Sequence, residues 1–159
     1  KFVGVLVNPT DEEITKFNHP CLDYFQLHGE ETVDRIKEIK LLSPKKIIKT
    51  IKIDSEKDLA LYNDYEKTVD IFLFDSKGYE LSREFDHSLL KNIDKRSNKW
   101  MIAGNIKIED LENIPKIADY VDVSGSLETN KKKDKKKIKD FLIKTKEIND
   151  ENKKRQTSN

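Results

Sequence analysis

Asp70-Ile71-Phe72-Leu73-Phe74-Asp75-Ser76-Lys77 decides how the rest of this sequence is read. Four consecutive apolar residues, Ile71 to Phe74, stop at a carboxylate, a hydroxyl and an amine, with Gly78 next. So short an apolar run fits a strand buried on both faces, as strands of a parallel sheet are. The polar residues leave that strand at its C-terminal end, where parallel α/β folds bind ligands and carry catalytic side chains. Asp75 is therefore the first candidate for a catalytic group. A strand-to-loop aspartate also serves as a plain cap or turn former, and this stretch alone leaves both roles open.

Outward from that stretch the same alternation repeats. Apolar, β-branched runs predict strands over 2–7, 23–27, 46–53, 69–75, 100–103 and 120–123. Between them lie helical signals. Thr10 and Glu13 form a capping box opening a helix through Phe17. Val33, Ile36 and Ile39 sit at helical spacing over 30–40, and Asp54 or Ser55 caps a helix carrying Leu59, Leu61 and Tyr62. A brief helix is expected over 86–93, and another over 106–117 that Pro115 must kink or end. Ile138, Phe141, Leu142 and Ile148 make the inner stripe of a last helix, and 151–159 reads as a polar, frayed end.

Strand then helix, six times over, predicts a parallel sheet with right-handed crossovers. Alternation alone fits both an open doubly wound sheet and a closed barrel. The strand ends are all polar or glycine: Asn8, His28-Gly29, Asp75-Ser76, Gly104-Asn105 and Ser124-Gly125. That pattern favours one shared active face.

Composition narrows the class. The 159 residues suffice for one domain with a core, and 35% hydrophobic against 38% charged residues makes the surface very polar. Lys+Arg 31 against Asp+Glu 30 leaves a net charge of +1, which argues against a nucleic-acid partner. One cysteine, Cys21, excludes an internal disulfide and suits a reducing compartment. No apolar run approaches the roughly 20 residues of a membrane helix, and no secretory signal pattern opens the sequence. A soluble cytoplasmic protein is expected. The sequence opens at Lys1 with a core strand at once, so an N-terminal portion is expected to be missing.

The last two strand ends are the most informative pair. Ala103-Gly104-Asn105 and Ser124-Gly125-Ser126 follow buried strands with small residues. Backbone N–H groups approach a phosphate there without obstruction. Glycine also simply turns tight corners, but two consecutive units of this kind favour a phosphate site, as after the last strands of barrels. Asp122, inside the last strand, needs a polar partner and is placed pointing into the site. Gln26 and His28, two apart, share one strand face. Cys21 lies before a strand and reads as inert, His19 and His87 join no cluster, and no metal-ligand spacing appears. The lysine run 131–137 reads as a solvated start to the final helix that draws in anions.

In order, Gly4-Val-Leu-Val-Asn8, Phe25-Gln-Leu-His-Gly29, Ile48-Lys-Thr-Ile51, Phe72-Leu-Phe-Asp75, Ile102-Ala-Gly104 and Val121-Asp-Val-Ser-Gly125 with Glu128-Thr129 resemble the phosphoribosylanthranilate isomerase family. The resemblance runs from about Phe2 to Ile148 and implies an α/β fold, a (βα)8 TIM barrel with only the last six βα units present here. Residues 1–148 would be that incomplete barrel and 149–159 a polar C-terminal tail. The family performs an Amadori rearrangement in tryptophan biosynthesis, converting N-(5-phosphoribosyl)anthranilate to 1-(2-carboxyphenylamino)-1-deoxyribulose 5-phosphate without cofactor or metal. By position Asp75 matches its general acid, a role that needs a raised pKa. Gly104, Asn105, Ser124, Gly125 and Ser126 match the phosphate region, and Gln26, His28 and Asp122 the pocket lining. The implied partner is a phosphorylated small-molecule substrate, with no nucleic acid and no membrane, in a monomer or homodimer when complete.

Two departures accompany the resemblance. The family's base, a cysteine ending the first strand, and its arginine after the second strand have no counterpart here. About 50 residues, two units, are lacking against a small barrel of roughly 200, so this piece alone should be inactive and expose two strand edges. The glycine-rich loop usual after the acid is replaced by Gly78-Tyr-Glu-Leu-Ser-Arg83, where Arg83 is available for the anthranilate carboxylate. Two other functions fit fewer of these motifs: another phosphate-binding barrel enzyme, and a non-catalytic anion-binding module using the lysine run.

Overall fold

The computed structural model describes residues 1–76, 89–90 and 98–157. Six strands, β1 (Val3–Leu6), β2 (Tyr24–Leu27), β3 (Lys46–Ile53), β4 (Ile71–Ser76), β5 (Lys99–Ile102) and β6 (Tyr120–Val121), lie side by side in chain order. Every pairing is parallel. A doubly wound sheet would reverse its order at a switch point. This one never does, so the crossovers run in one direction and the sheet curls as half a barrel with an open lumen. β1 and β6 are its two edges, and Val3 and Val5 on β1 are 40% and 59% exposed.

The two-residue period of the strands sorts the apolar residues into two layers. Phe72 and Phe74 face the helices and meet Tyr62 and Trp100, with centroids 4.5 Å apart for Tyr62–Phe72 and 5.0 Å for Phe74–Trp100. Ile71 and Leu73 face the lumen beside Ile48 and Ala103. All four residues of the run are buried because both sides of β4 are covered.

The helices follow their caps. Ahead of α1 (Asp11–Phe17), Glu13 N donates to Thr10 Oγ1 at 3.2 Å and Thr10 N to Glu13 Oε2 at 2.8 Å, closing the capping box. α2 (Val33–Leu42) buries Ile36 and Ile39. After Ser55 the chain forms a 3-10 turn, Glu56–Ala60, before the short α3 (Leu61–Tyr65). The tighter turn stacks residues three apart, so Leu59 and Tyr62 are buried and Leu61 swings out, against the sequence expectation.

Four further expectations are corrected. No α-helix spans 106–117; the segment makes 3-10 turns at Ile108–Glu112 and Ile114–Lys116 instead. Pro115 has no N–H to donate, which stops propagation. In α4 (Lys135–Thr157), Phe141 is buried and Thr145 and Ile148 are half-buried, while Leu142 is 63% exposed. The inner stripe is i, i+4, i+7, and Leu142 lies about 100° round from Phe141. α4 also continues to Thr157 rather than fraying after 150. Before it, β7 (Glu128–Thr129) and β8 (Lys132–Lys133) pair as an antiparallel hairpin turned by Asn130 and Lys131, both at positive φ. Part of the lysine run is therefore hairpin and not helix. Of the segment 86–93, only 89–90 are among the described residues.

Candidate active site

Strand register assigns the site. Gln26 pairs with Ile48, Thr50 with Leu73 and Lys52 with Asp75, so these side chains share the lumen face. His28 extends β2 by one more bond, its N donating to Leu6 O at 2.9 Å. The result is a row across the C-terminal ends of β2, β3 and β4. Gln26 Nε2 lies 3.3 Å and Thr50 Oγ1 3.2 Å from His28 Nδ1. With the Gln26 amide nitrogen in this orientation as a donor, the matching tautomer has His28 Nδ1 accepting and its proton on Nε2. That nitrogen faces Asp75 Oδ2 at 3.9 Å, with the two side chains 20% and 26% exposed.

Beside Asp75 opens a cleft of about 260 Å³ lined by Ser76, Gly104, Asn105, Asp122, Ser124, Gly125 and Ser126. Gly104 turns the β5 corner at φ +92°, a backbone conformation natural only to glycine, with Asn105 following at φ 46°. A Cβ on Gly104 would stand 3.2 Å from Ser76 Oγ, whereas one on Gly125 would meet nothing within 4 Å. Ser126 Oγ is buried and has no hydrogen-bond partner among the described residues. Buried hydroxyls usually have a hydrogen-bond partner, so this one is available to a group entering the cleft.

Asp122 follows β6, its N donating to Ile102 O at 2.8 Å. Desolvation by the cleft walls, then the charge of Asp75, push its carboxyl above the usual value, and His28 pulls against them. Solvent still reaches the residue and screens the effect. The Asp122 carboxyl therefore holds its proton more tightly than a free aspartate does.

Two residues that the sequence did not single out belong to the same face. Thr50 holds His28, as above. Lys133, from the lysine run, reaches back from β8 and donates to Ser124 O at 3.0 Å and Oγ at 2.9 Å, while pairing with Glu128 at 2.8 Å. The signal for Thr50 was its position in β3, in step with Gln26; for Lys133 the long hairpin return hid any signal. Cys21 is exposed in the loop before β2, at the opposite end of the strands from Asp75, with its Sγ 2.9 Å from His19 Nδ1. Arg83 and His87 lie outside the described residues. Among the described residues no three His, Cys, Asp or Glu side chains converge as a metal site, and no helix is long and apolar enough to cross a membrane.

Comparison with known proteins adds three findings. Residues 1–144 match the sequence profile of the family described as PRAI, N-(5'phosphoribosyl)anthranilate (PRA) isomerase. An N-(5'-phosphoribosyl)anthranilate isomerase of Bacillus cereus (strain G9842) is 37% identical over 153 residues, covering 91% of this chain and 72% of that protein. Among solved structures, the phosphoribosyl anthranilate isomerase from Thermotoga maritima superposes with a TM-score of 0.77 at 29% identity, over 91% of this chain and 72% of that one. A PRAI solved in complex with reduced 1-(o-carboxyphenylamino)-1-deoxyribulose 5-phosphate does so with a TM-score of 0.74 at 28% identity, over 91% and 70%. A profile matched over most of the chain, the same motifs in the same order and a shared curl of the sheet together mean that this chain belongs to the N-(5'-phosphoribosyl)anthranilate isomerase family.

Proposed function

We propose that this chain carries the general acid and the phosphate site of a phosphoribosylanthranilate isomerase, the Amadori step of tryptophan biosynthesis. In this reading its six strands correspond to the third through eighth strands of a (βα)8 barrel, and the base cysteine comes from a unit that these residues do not include. Cys21 does not replace it, being at the wrong end of the strands. Asp75 protonates the furanose ring oxygen, the ring opens, and the base removes the C2 proton. His28 lies where its Nε2–H steadies the carboxylate that Asp75 becomes after giving up its proton. Gln26 and Asp122 line the pocket, where Asp122 meets a sugar hydroxyl. The backbone of Gly104, Asn105, Ser124 and Gly125 and the hydroxyl of Ser126 receive the phosphate. Arg83 takes the anthranilate carboxylate.

The observation that carries this reading is the unbonded, buried Ser126 hydroxyl in the same cleft as Asp75. Asp75 and Ser126 line the same cleft, so one ligand can meet both. The chemistry needs no metal or cofactor, and the working protein is a cytoplasmic monomer or homodimer; a related Thermotoga maritima isomerase is dimeric.

Calorimetric titration with the reduced product analogue tests it. Saturable binding of one equivalent is expected, weakened by about tenfold or more in Gly125→Val, where open space spares the fold. No binding by the unmodified chain would sink the reading. In an assembled eight-unit enzyme, Asp75→Asn should lower turnover by at least ~100-fold.

A further inference from the structure

Directly behind the catalytic row, on the helix-facing side of the sheet, two charges are fully buried. Lys49 Nζ stands 2.8 Å from Glu31 Oε2, with the side chains 3% and 0% exposed. Lys49 Nζ also donates to Gly29 O at 2.7 Å. The other carboxylate oxygen, Glu31 Oε1, accepts from Asn8 N at 2.8 Å and Gly29 N at 3.1 Å. Tyr65 OH donates to Glu31 O at 3.0 Å and its ring lies 5.8 Å from Lys49 Nζ. Asn8 closes the set, its Oδ1 accepting from Glu30 N at 2.8 Å. Any Cβ at Gly29 would collide with Asn8 and Glu31, so this turn is built around the pair.

A buried ion pair is a poor way to gain stability, because well-packed apolar residues do as well without the desolvation. It is a good way to hold backbone atoms at fixed positions, and its bonds tie the turn after β2 to itself and to Asn8 after β1. Lys49 and Thr50 are consecutive on β3 and so point to opposite faces. Lys49 grips Gly29 from behind the sheet, and Thr50 meets the His28 ring from within the lumen. The same two-residue segment is clamped from both sides.

We propose that Glu31 and Lys49 are positioning residues for His28, fixing the β2 strand end so that the imidazole presents Nε2 to Asp75. This rests on the reading of Asp75 and His28 as the acid side of the site.

Nitrogen-15 spectra of the His28 ring in the full labelled chain test it, with the signal assigned by its loss in His28→Gln. The unmodified chain should show a single Nε2–H tautomer. Glu31→Gln keeps the size of the side chain and removes its charge, and should shift both ring nitrogens and bring in the second tautomer. Tyr65→Phe, which removes one bond to the same turn, should move them the same way by less, and decides the matter alone if Glu31→Gln does not fold. Leu111→Ala, a core truncation at the far end of the sheet, should leave the ring signals in place. Unchanged ring signals in the Glu31 and Tyr65 variants, or an equal response in Leu111→Ala, would overturn the proposal. Binding of the reduced product analogue is scored separately: failure to bind with an intact His28 response sinks the reading of the site and leaves the positioning role standing.

Discussion

At β2 and β3 the strand ends are held by side chains; at β5 and β6 they are shaped by backbone. The first flank has a buried ion pair, a strand in step with its neighbours and capped helices α1 and α2, with a 3-10 turn only after β3. The second has 3-10 turns, a two-residue strand, a glycine at φ +92° and an exposed hairpin lysine. Under the proposed function, the difference follows what each flank presents. An imidazole facing a carboxylate needs fixed side-chain geometry, whereas a phosphate is met by several N–H groups and tolerates adjustment.

Lys49→Met should break the first flank hardest. It strands Glu31 as an uncompensated buried charge, and urea unfolding should show a loss of about 3–5 kcal/mol. Gly104→Ala is the heaviest single blow available on the second flank, because it forces an alanine to a positive φ against Ser76. It should cost about 1–3 kcal/mol. Gly125→Ala beside it should stay within about 0.5 kcal/mol, so any lost phosphate affinity there reports on the ligand. Lys133→Met removes a half-exposed anchor of Ser124, worth about 1 kcal/mol or less.

The two shifted carboxyls should sharpen the comparison through pH. Burial opposes the charge of Glu31, but Lys49 and the Asn8 N–H outweigh it and hold the carboxyl below its usual value. Its stabilisation is therefore present above about pH 4.3, the ordinary glutamate value, and lost as pH falls through the depressed one. Asp122 is shifted the other way. Its contribution favours folding below about pH 3.9 and is lost as pH rises through the raised value. Asp122→Asn should thus raise the thermal midpoint slightly at pH 7 and give no gain near pH 3. A gain that grew on acidification would refute the sign.

What could be read from sequence was short-range or periodic. The Thr10–Glu13 box is three residues long, the Gln26–His28 face follows from a period of two, and the burial of Ile71 to Phe74 from a run without a polar break. What escaped was long-range or angular. Lys49 inside an apolar strand signalled a buried cation, yet its partner lies 18 residues away on another unit. Lys133 finds Ser124 only after a hairpin turn. Leu142 sits one position from Phe141, and helical spacing counted along the sequence does not distinguish the inner face from its flank. Pro115 was read as a break, but the turn type that replaces the helix depends on how Leu111 and Ile114 join the core.

A sheet whose strands pair only with their neighbours in sequence behaves as a chain of links. β3 and β4 share a long register, from Ile48 to Ile53, whereas β5 and β6 meet only at Met101–Tyr120 and Ile102–Val121. Opening should therefore begin at the β6 end and travel inward, as in stacked repeats. Amide hydrogens of β6 and the Ser124 turn should exchange first and those of β3 and β4 last. Warming this molecule would unfasten the cleft at Gly104 and Ser124 while the imidazole and carboxylate still faced one another.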